Sequence, residues 1–210
     1  EMRLFEQWFV PELLGYQLSD SERVMLDGLY TQLESEALRQ PQVWVHRDFH
    51  SRNLLYREGN APGVIDFQDA VRGPITYDLV SLLRDCYVRW EPERVERWAL
   101  GYGNMAVEVG LMAPVTQHRF LRWFDWMGLQ RHLKVLGIFA RLSLRDGKAA
   151  YLNDLPLVIR YLLEVSDNYV ELDGFRAWFE KVLLPLCEQQ HWYSDYRCAG
   201  EAVAQCSNPV

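Results

Sequence analysis

The sequence predicts an α+β protein that is mostly helical. Strand-like runs at residues 43–45, 54–56 and 64–65, with a Gly- and Pro-rich turn between the last two, indicate a short β-hairpin. From residue 78 onward, apolar residues recur with the helical period. The chain has 210 residues, 49% of them hydrophobic, which is enough to bury a core. We expect one domain over residues 1–192 and a disordered tail over residues 193–210, where the side chains are small and polar.

The helices are predicted from capping residues and apolar periodicity. Ser19 and Glu22 form a capping box ahead of a helix predicted for residues 21–38. Asp78 is expected to cap the next helix and to brace the loop at residues 46–53. The remaining helices are expected to start near Pro92, to run from Thr116 to about Ala140, to start at Asp154 and Pro156, and to span residues 175–186.

Composition excludes several classes of function. The formal net charge of −7 argues against nucleic acid or an anionic membrane as a partner, because both require an excess of Lys and Arg. No apolar run reaches the length of a membrane span, and the first nine residues lack a signal-peptide layout. The cysteines match no metal or redox spacing and are expected to be reduced thiols in a cytoplasmic protein. They are Cys86, Cys187, Cys198 and Cys206.

Polar residues stand at the ends of the predicted hairpin. Residues 46–53 read HRDFHSRN, the kinase catalytic-loop spacing H-R-D-x-x-x-x-N, and Asp66 follows the hairpin. Phosphoryl transfer needs a group that accepts or orients the proton of the attacking hydroxyl, and oxygen ligands that hold Mg²⁺ on the phosphates of ATP. We predict Asp48 as the catalytic base and Asn53 and Asp66 as the metal ligands. Alone, the loop at residues 46–53 or Asp66 would more often be explained by side chains that cap the backbone of a turn. Here both occur, in the order that a kinase requires.

Two further features refine this interpretation. His46 is expected to tie the loop to the backbone, since Asp48 already fills the role of base. Residues 67–78 lead directly from the second acidic element into a helix, which leaves no room for the activation segment of a protein kinase. A small-molecule kinase is therefore favoured.

Three stretches resemble a known family: residues 46–55 (HRDFHSRNLL), 64–71 (VIDFQDAV) and 130–155, which include QRHLKVLGIFARL and YLNDL. Together with the element from Pro74 to Asp78, they resemble the aminoglycoside phosphotransferase and choline kinase superfamily. Within it, they are most similar to the sugar kinases that phosphorylate N-acetylmuramate and N-acetylglucosamine at C1 in cell-wall recycling.

The resemblance implies the carboxy-terminal lobe of a protein-kinase-like fold, with a short catalytic hairpin and a helical bundle. Members of the superfamily carry a preceding amino-terminal lobe with a phosphate-covering loop and a Lys–Glu pair. This chain shows neither before Met2, so we expect the lobe to be absent here and the chain alone to be inactive. ATP and a small sugar are the expected partners.

Several residues near the motif are candidates for binding. Asp69, His50 and Arg52 are candidate contacts to the sugar or the transferred phosphate, against the alternatives of a solvated turn and a surface arginine. Leu55 and Ile65 are candidates for the apolar floor under the adenine, although a plain core role would look the same in sequence.

Other residues leave alternatives open. Trp123, Phe124 and Trp126 suggest either an aromatic platform for a sugar ring or, more commonly at helical spacing, core. An acidic acceptor site around Asp69 and Asp85 would suit an aminoglycoside or amino-alcohol kinase instead. A catalytically silent binding module is a third possibility. The expected positive charge of Arg52, Arg72 and Arg131 near the site disfavours a polycationic antibiotic.

Overall fold

A computed structural model describes residues 1–201 of the chain. The chain divides into two compact units, one made of Glu1–Leu33 and the chain from Leu129 onward, the other of Glu34–Gly128. The predicted α+β class is confirmed, because the described residues are mostly helical and carry two small antiparallel sheets. None of the helices in residues 1–201 combines the length and the apolar character needed to cross a bilayer.

The elements follow in this order. The helices are α1 (Asp20–Leu38), α2 (Tyr77–Leu83), α3 (Pro92–Glu108), α4 (Gln117–Asp146), α5 (Leu155–Asp167), α6 (Asp173–Trp178) and α7 (Leu184–Glu188). The strands are β1 (Gln42–Val45), β2 (Leu54–Leu55), β3 (Gly63–Val64) and β4 (Val71–Pro74). A π-helical segment, Phe5–Leu13, precedes α1, and a second one, Phe179–Leu183, connects α6 to α7.

The first unit is helical around an aromatic and aliphatic core. Phe5 and Phe9 stack with their ring centres 5.4 Å apart, and Phe179 packs against Phe5. The capping box is confirmed, because the Ser19 backbone N–H donates to the Glu22 carboxylate at 2.7 Å and the Glu22 N–H donates back to the Ser19 hydroxyl.

The second unit contains both sheets and a separate cluster of buried side chains. Strand β1 pairs antiparallel with β4, with Val45 opposite Val71 and Val43 opposite Gly73. Strands β2 and β3 form the short hairpin that the sequence predicts. Helix α3 begins at Pro92 as expected, and Thr116 caps α4 by accepting the Arg119 backbone N–H.

The pairing of β1 was not foreseen. The sequence predicts a strand at residues 43–45 without a partner outside the hairpin region, but the structure pairs it with β4, whose Gly73 and Pro74 are residues that usually end a strand. Gly73 suits the position because a Cβ there would come within 2.8 Å of Val45 Cγ2. The last predicted helix, residues 175–186, is instead a run of α6, the π-helical segment and α7.

Residues 193–201 differ from the expected disordered tail. Tyr196–Cys198 form a 3₁₀ turn capped by the Asp195 carboxylate. Arg160 of α5 donates to the Ala199 carbonyl at 3.0 Å and to the Glu201 carboxylate at 2.8 Å. Residues 202–210 lie outside the described part of the chain, and for them disorder stays a prediction.

Candidate active site

The loop that follows β1 is held by a carboxylate from α2. Asp78 Oδ2 accepts the His46 backbone N–H at 2.6 Å, and Asp78 Oδ1 accepts the Arg47 N–H at 3.0 Å. The prediction that Asp78 caps its helix was wrong, because α2 begins one residue earlier and Thr76 makes no side-chain cap. The accompanying prediction that Asp78 braces the catalytic loop is confirmed, and the strand-to-loop corner has two charge-assisted hydrogen bonds.

The imidazole of His46 joins the loop to the second acidic element. His46 Nε2 lies 2.9 Å from the carbonyl oxygen of Ile65, the residue before Asp66. This contact confirms the expected structural role of the ring. It fixes the spacing between the two chain segments that carry the predicted site residues.

The side-chain amide of Asn53 connects the predicted base and metal ligands, because it contacts both the Asp48 backbone and the Asp66 carboxylate. Asn53 Nδ2 donates to the Asp48 carbonyl oxygen at 3.0 Å and lies 3.4 Å from Asp66 Oδ2. The Ile65 N–H donates to the Asn53 carbonyl at 3.2 Å. Asp48 is half-buried, and within residues 1–201 its carboxylate takes part in no hydrogen bond or ion pair. The carboxylate is therefore available to a ligand.

Two residues of the site have backbone conformations that side chains disfavour. Arg47 has φ 77° and Asp66 has φ 67°, both in the left-handed region that glycine adopts more readily. Such conformations persist where surrounding contacts fix them, and they are concentrated at functional sites. For Arg47, the contact is the hydrogen bond from its N–H to Asp78.

The donor set suits Mg²⁺ bound to a nucleotide. Asn53 and Asp66 offer an amide oxygen and carboxylate oxygens, which are ligands that Mg²⁺ prefers. Gln68 Nε2 donates to Asp66 Oδ1 at 2.7 Å and so orients that carboxylate. Within residues 1–201, no three His, Cys, Asp or Glu side chains converge as a metal site. A cation held here would take its other ligands from phosphate oxygens and water, as is usual for Mg²⁺.

Asp85 is a residue whose role sequence reasoning missed. Its side chain is only 1% exposed, so it cannot serve as the open acidic acceptor group that was considered. Asp85 Oδ2 accepts the Ser51 N–H at 2.9 Å and Oδ1 accepts the Tyr87 N–H at 3.2 Å. In the chain, Asp85 lies between Leu83 and Cys86, which are both buried. An acidic residue at such a position was the signal that could have revealed this role, because a buried carboxylate needs partners.

The candidate binding residues lie in different settings. His50 and Arg52 both contact the Tyr87 ring, His50 edge-on with centroids 5.7 Å apart and Arg52 face-on at 3.4 Å. Asp69 lies in an exposed turn. The substrate roles of these residues stay predictions.

The two candidates for the adenine floor are not core residues. Leu55 is 50% exposed and Ile65 is 42% exposed, so the plain core role does not hold for either. Val64 and Phe67, which lie near Ile65 in the chain, are exposed as well.

The aromatic cluster on α4 belongs to the core. Trp123, Phe124 and Trp126 are all nearly inaccessible to solvent, which excludes an exposed platform for a sugar ring. Arg131 is buried as well, so it cannot act as an exposed charge that repels an antibiotic.

The chain was compared with known proteins. A profile of the phosphotransferase enzyme family matches residues 1–124. A protein of Neisseria meningitidis named N-acetylmuramate/N-acetylglucosamine kinase is 49% identical over 172 residues, which are 82% of this chain and 51% of that protein. Proteins with the same name from Pseudomonas putida and Pseudomonas aeruginosa are 44% and 45% identical, covering 82% and 77% of this chain and 50% and 48% of their own lengths.

These similarities confirm the resemblance found in the sequence. The chain spans about half the length of the relatives that it matches. The profile match includes the whole loop from His46 to Asn53 and the following Asp66. The chain belongs to the phosphotransferase enzyme family.

Proposed function

We propose that the protein containing this chain transfers the γ-phosphoryl group of ATP to the anomeric hydroxyl of N-acetylmuramate or N-acetylglucosamine. The observation that carries the proposal is the Asn53 amide, which hydrogen-bonds the Asp48 backbone and lies beside the Asp66 carboxylate. The names of relatives at 44–49% identity supply the acceptor.

In this proposal, Asp48 acts on the acceptor. Its carboxylate orients the C1 hydroxyl and takes up its proton while the hydroxyl oxygen bonds to the γ-phosphorus. The bond from that phosphorus to the bridging oxygen breaks, so ADP and the sugar 1-phosphate are the products. Asp78 contributes indirectly, because its hydrogen bonds to His46 and Arg47 hold the loop in place.

The nucleotide is proposed to lie against the hairpin. Asn53 and Asp66 would hold Mg²⁺, which when bound neutralises charge on the phosphates. Leu55 and Ile65 offer exposed apolar surface to the adenine. On the family pattern, residues 1–192 correspond to the carboxy-terminal lobe of a kinase-like fold.

The proposed setting is the cytoplasm, where ATP is available, and the proposed role is recycling of cell-wall amino sugars. Among residues 1–201, the cysteines Cys86, Cys187 and Cys198 are not joined in disulfides, which fits a reducing compartment. Cys206 lies outside the described residues.

The test is a comparison of acceptors with the full-length protein. We expect kcat/KM for N-acetylmuramate or N-acetylglucosamine to exceed that for kanamycin and for choline, and ³¹P NMR to place the new phosphate on C1. Faster turnover of kanamycin or choline would refute the sugar assignment and leave the phosphotransferase assignment standing. Nucleotide binding without turnover of any acceptor would favour the silent module.

A further inference from the structure

Arg52 stacks more closely on an aromatic ring than Arg122 and Arg84 of the same unit, whose guanidinium carbons lie 4.2 Å from the ring centre of Trp126 and 4.6 Å from that of Phe124. The guanidinium carbon of Arg52 lies 3.4 Å from the centre of the Tyr87 ring, so the planar group stacks on the ring face. By contrast, Arg84 donates to the Asp125 carboxylate at 2.6 Å, and Arg72 donates to the Gln42 carbonyl at 2.8 Å. Arg52 is exposed, and no residue of the range 1–201 accepts a hydrogen bond from its guanidinium.

The stacking leaves the donors of Arg52 available. An arginine that packs by its plane keeps its N–H groups along the edge, where two of them match the spacing of the oxygens of a carboxylate or phosphate. The ring also limits the orientations of a long side chain, so less conformational entropy is lost when an anion binds. An ordinary surface arginine also has N–H donors available, but without such a contact its side chain is not restricted in this way.

Tyr87 is itself fixed to the loop that carries Arg52. The buried Asp85 carboxylate accepts both the Tyr87 N–H and the Ser51 N–H, and thereby joins the two chain segments. The His50 ring packs edge-on against Tyr87. Arg52 directly precedes Asn53, so the ring holds the guanidinium on the segment that carries a predicted metal ligand.

We propose that Tyr87 holds Arg52 as an anion-binding residue at the edge of the phosphoryl-transfer site. The ligand is an anionic oxygen group with two possible sources, a carboxylate on the acceptor or a phosphate of the nucleotide. Tyr87 is a positioning residue that acts through Arg52. The naming of substrates rests on the proposed function, whereas anion binding by Arg52 does not.

The kinetic test uses the full-length protein and a matched control. Arg52→Met removes the guanidinium, Tyr87→Leu removes the ring, and Tyr87→Phe keeps the ring. Arg94→Met is the control, because Arg94 is also exposed and lies over an aromatic ring, 5.7 Å from the centre of Trp98, on α3. N-acetylmuramate carries a lactyl carboxylate that N-acetylglucosamine lacks, so the two sugars separate the two sources of the anion.

We expect Arg52→Met to lower kcat/KM roughly tenfold to a hundredfold, the usual range for loss of a hydrogen bond to a charged group. A fall confined to N-acetylmuramate identifies the acceptor carboxylate, and an equal fall for both sugars with a raised KM for ATP identifies the phosphate. Tyr87→Leu should lower kcat/KM for the same substrates as Arg52→Met does. Tyr87→Phe should keep kcat/KM within about twofold of the value for the original protein. Values for Arg52→Met equal to those for Arg94→Met overturn the proposal.

A binding measurement keeps the inference separate from the proposed function. The Nε–Hε NMR signals of Arg52 and Arg94 are followed in the full-length protein during titration with D-lactate and with inorganic phosphate. A saturable shift of the Arg52 signal alone supports the anion site, even if neither sugar is phosphorylated. No shift, or equal shifts of both signals, overturns it whatever the acceptor proves to be.

Discussion

At the residue scale, the catalytic loop is stabilised by carboxylates that lie outside it. Asp78 holds the backbone at His46 and Arg47, and Asp85 holds it at Ser51. Along the chain, Asp48 lies between these attachment points and Asn53 follows them. The chemistry of the loop should therefore depend on residues that contact no substrate.

Asp48→Asn should lower kcat about a hundredfold to ten-thousandfold, the usual contribution of a general base. The KM for ATP should change little, because Asp48 acts on the acceptor hydroxyl. Steady-state kinetics of the full-length protein with each substrate varied in turn would measure both quantities. Weaker ATP binding with unchanged kcat would show that Asp48 has a different role.

Asp85→Asn should reduce both stability and turnover. An amide nitrogen in place of one oxygen would face a backbone N–H, which leaves a buried donor unsatisfied at a cost of about 1–3 kcal/mol. We expect a lower free energy of unfolding in urea and a reduced kcat.

Asp195→Asn is the matched control for Asp85→Asn. Asp195 also accepts a backbone N–H, that of Arg197, but it lies far more exposed, so its loss should cost less. Equal effects of the two substitutions on kcat would contradict a positioning role for Asp85.

At the scale of single elements, the first turn of α1 predicts a dependence of stability on pH. Burial alone would raise the pKa of Glu22, but hydrogen bonds from Ser19, Trp178 and Tyr16 outweigh it and lower the pKa from 4.5 to about 2. A lowered pKa in the folded state stabilises the fold above pH 4.5, and this contribution is lost as the pH falls toward 2.

Glu22→Gln should therefore lower the free energy of unfolding at neutral pH, and its deficit should shrink as the pH falls through that window. Urea titrations at a series of pH values would measure the difference. Glu12→Gln, at an exposed position, serves as the control. A deficit that is constant from neutral pH down to pH 2 would exclude the charge of Glu22 as the cause.

The space around the backbone predicts opposite effects on stability for alanine substitutions at Gly73 and Gly101, two glycines of the same unit. Gly73→Ala places a Cβ within 2.8 Å of Val45 and should destabilise the β1–β4 pair by about 1–3 kcal/mol. Gly101→Ala in α3 meets nothing within 4 Å and should stabilise the helix by roughly 0.5–1 kcal/mol. Urea denaturation of both variants gives the comparison, and a stabilising Gly73→Ala would mean that the strands can separate at low cost.

At the scale of the whole molecule, the chain spans about half the length of its relatives. In the proposed site this chain supplies the base, two metal ligands and an apolar surface, and we expect the remaining contacts to the nucleotide to come from the rest of the protein. We expect the 210-residue chain alone to give no sugar phosphorylation above background, and the full-length protein to be active. Comparable kcat values for the two would show that this chain holds a complete site.

The sequence by itself determined the motif and the helical character, because these depend on local spacing and periodicity, and it carried the family resemblance that the comparisons confirm. HRDFHSRN and Asp66 lie close together in the chain, and the capping box at Ser19 is a contact over three residues. Such features need no long-range information.

Only the tertiary structure decided which distant segments meet. The pairing of β1 with β4, the buried Asp85 beneath Ser51, and the Arg52–Tyr87 stack join residues about 30 positions apart. Each depends on contacts between distant segments that override local preferences, as where Gly73 and Pro74 lie in a strand. For Asp78 the sequence predicts both a helix cap and a brace on the loop, and only the structure shows that the carboxylate makes the second contact and not the first, because the N–H groups of His46 and Arg47 need a partner.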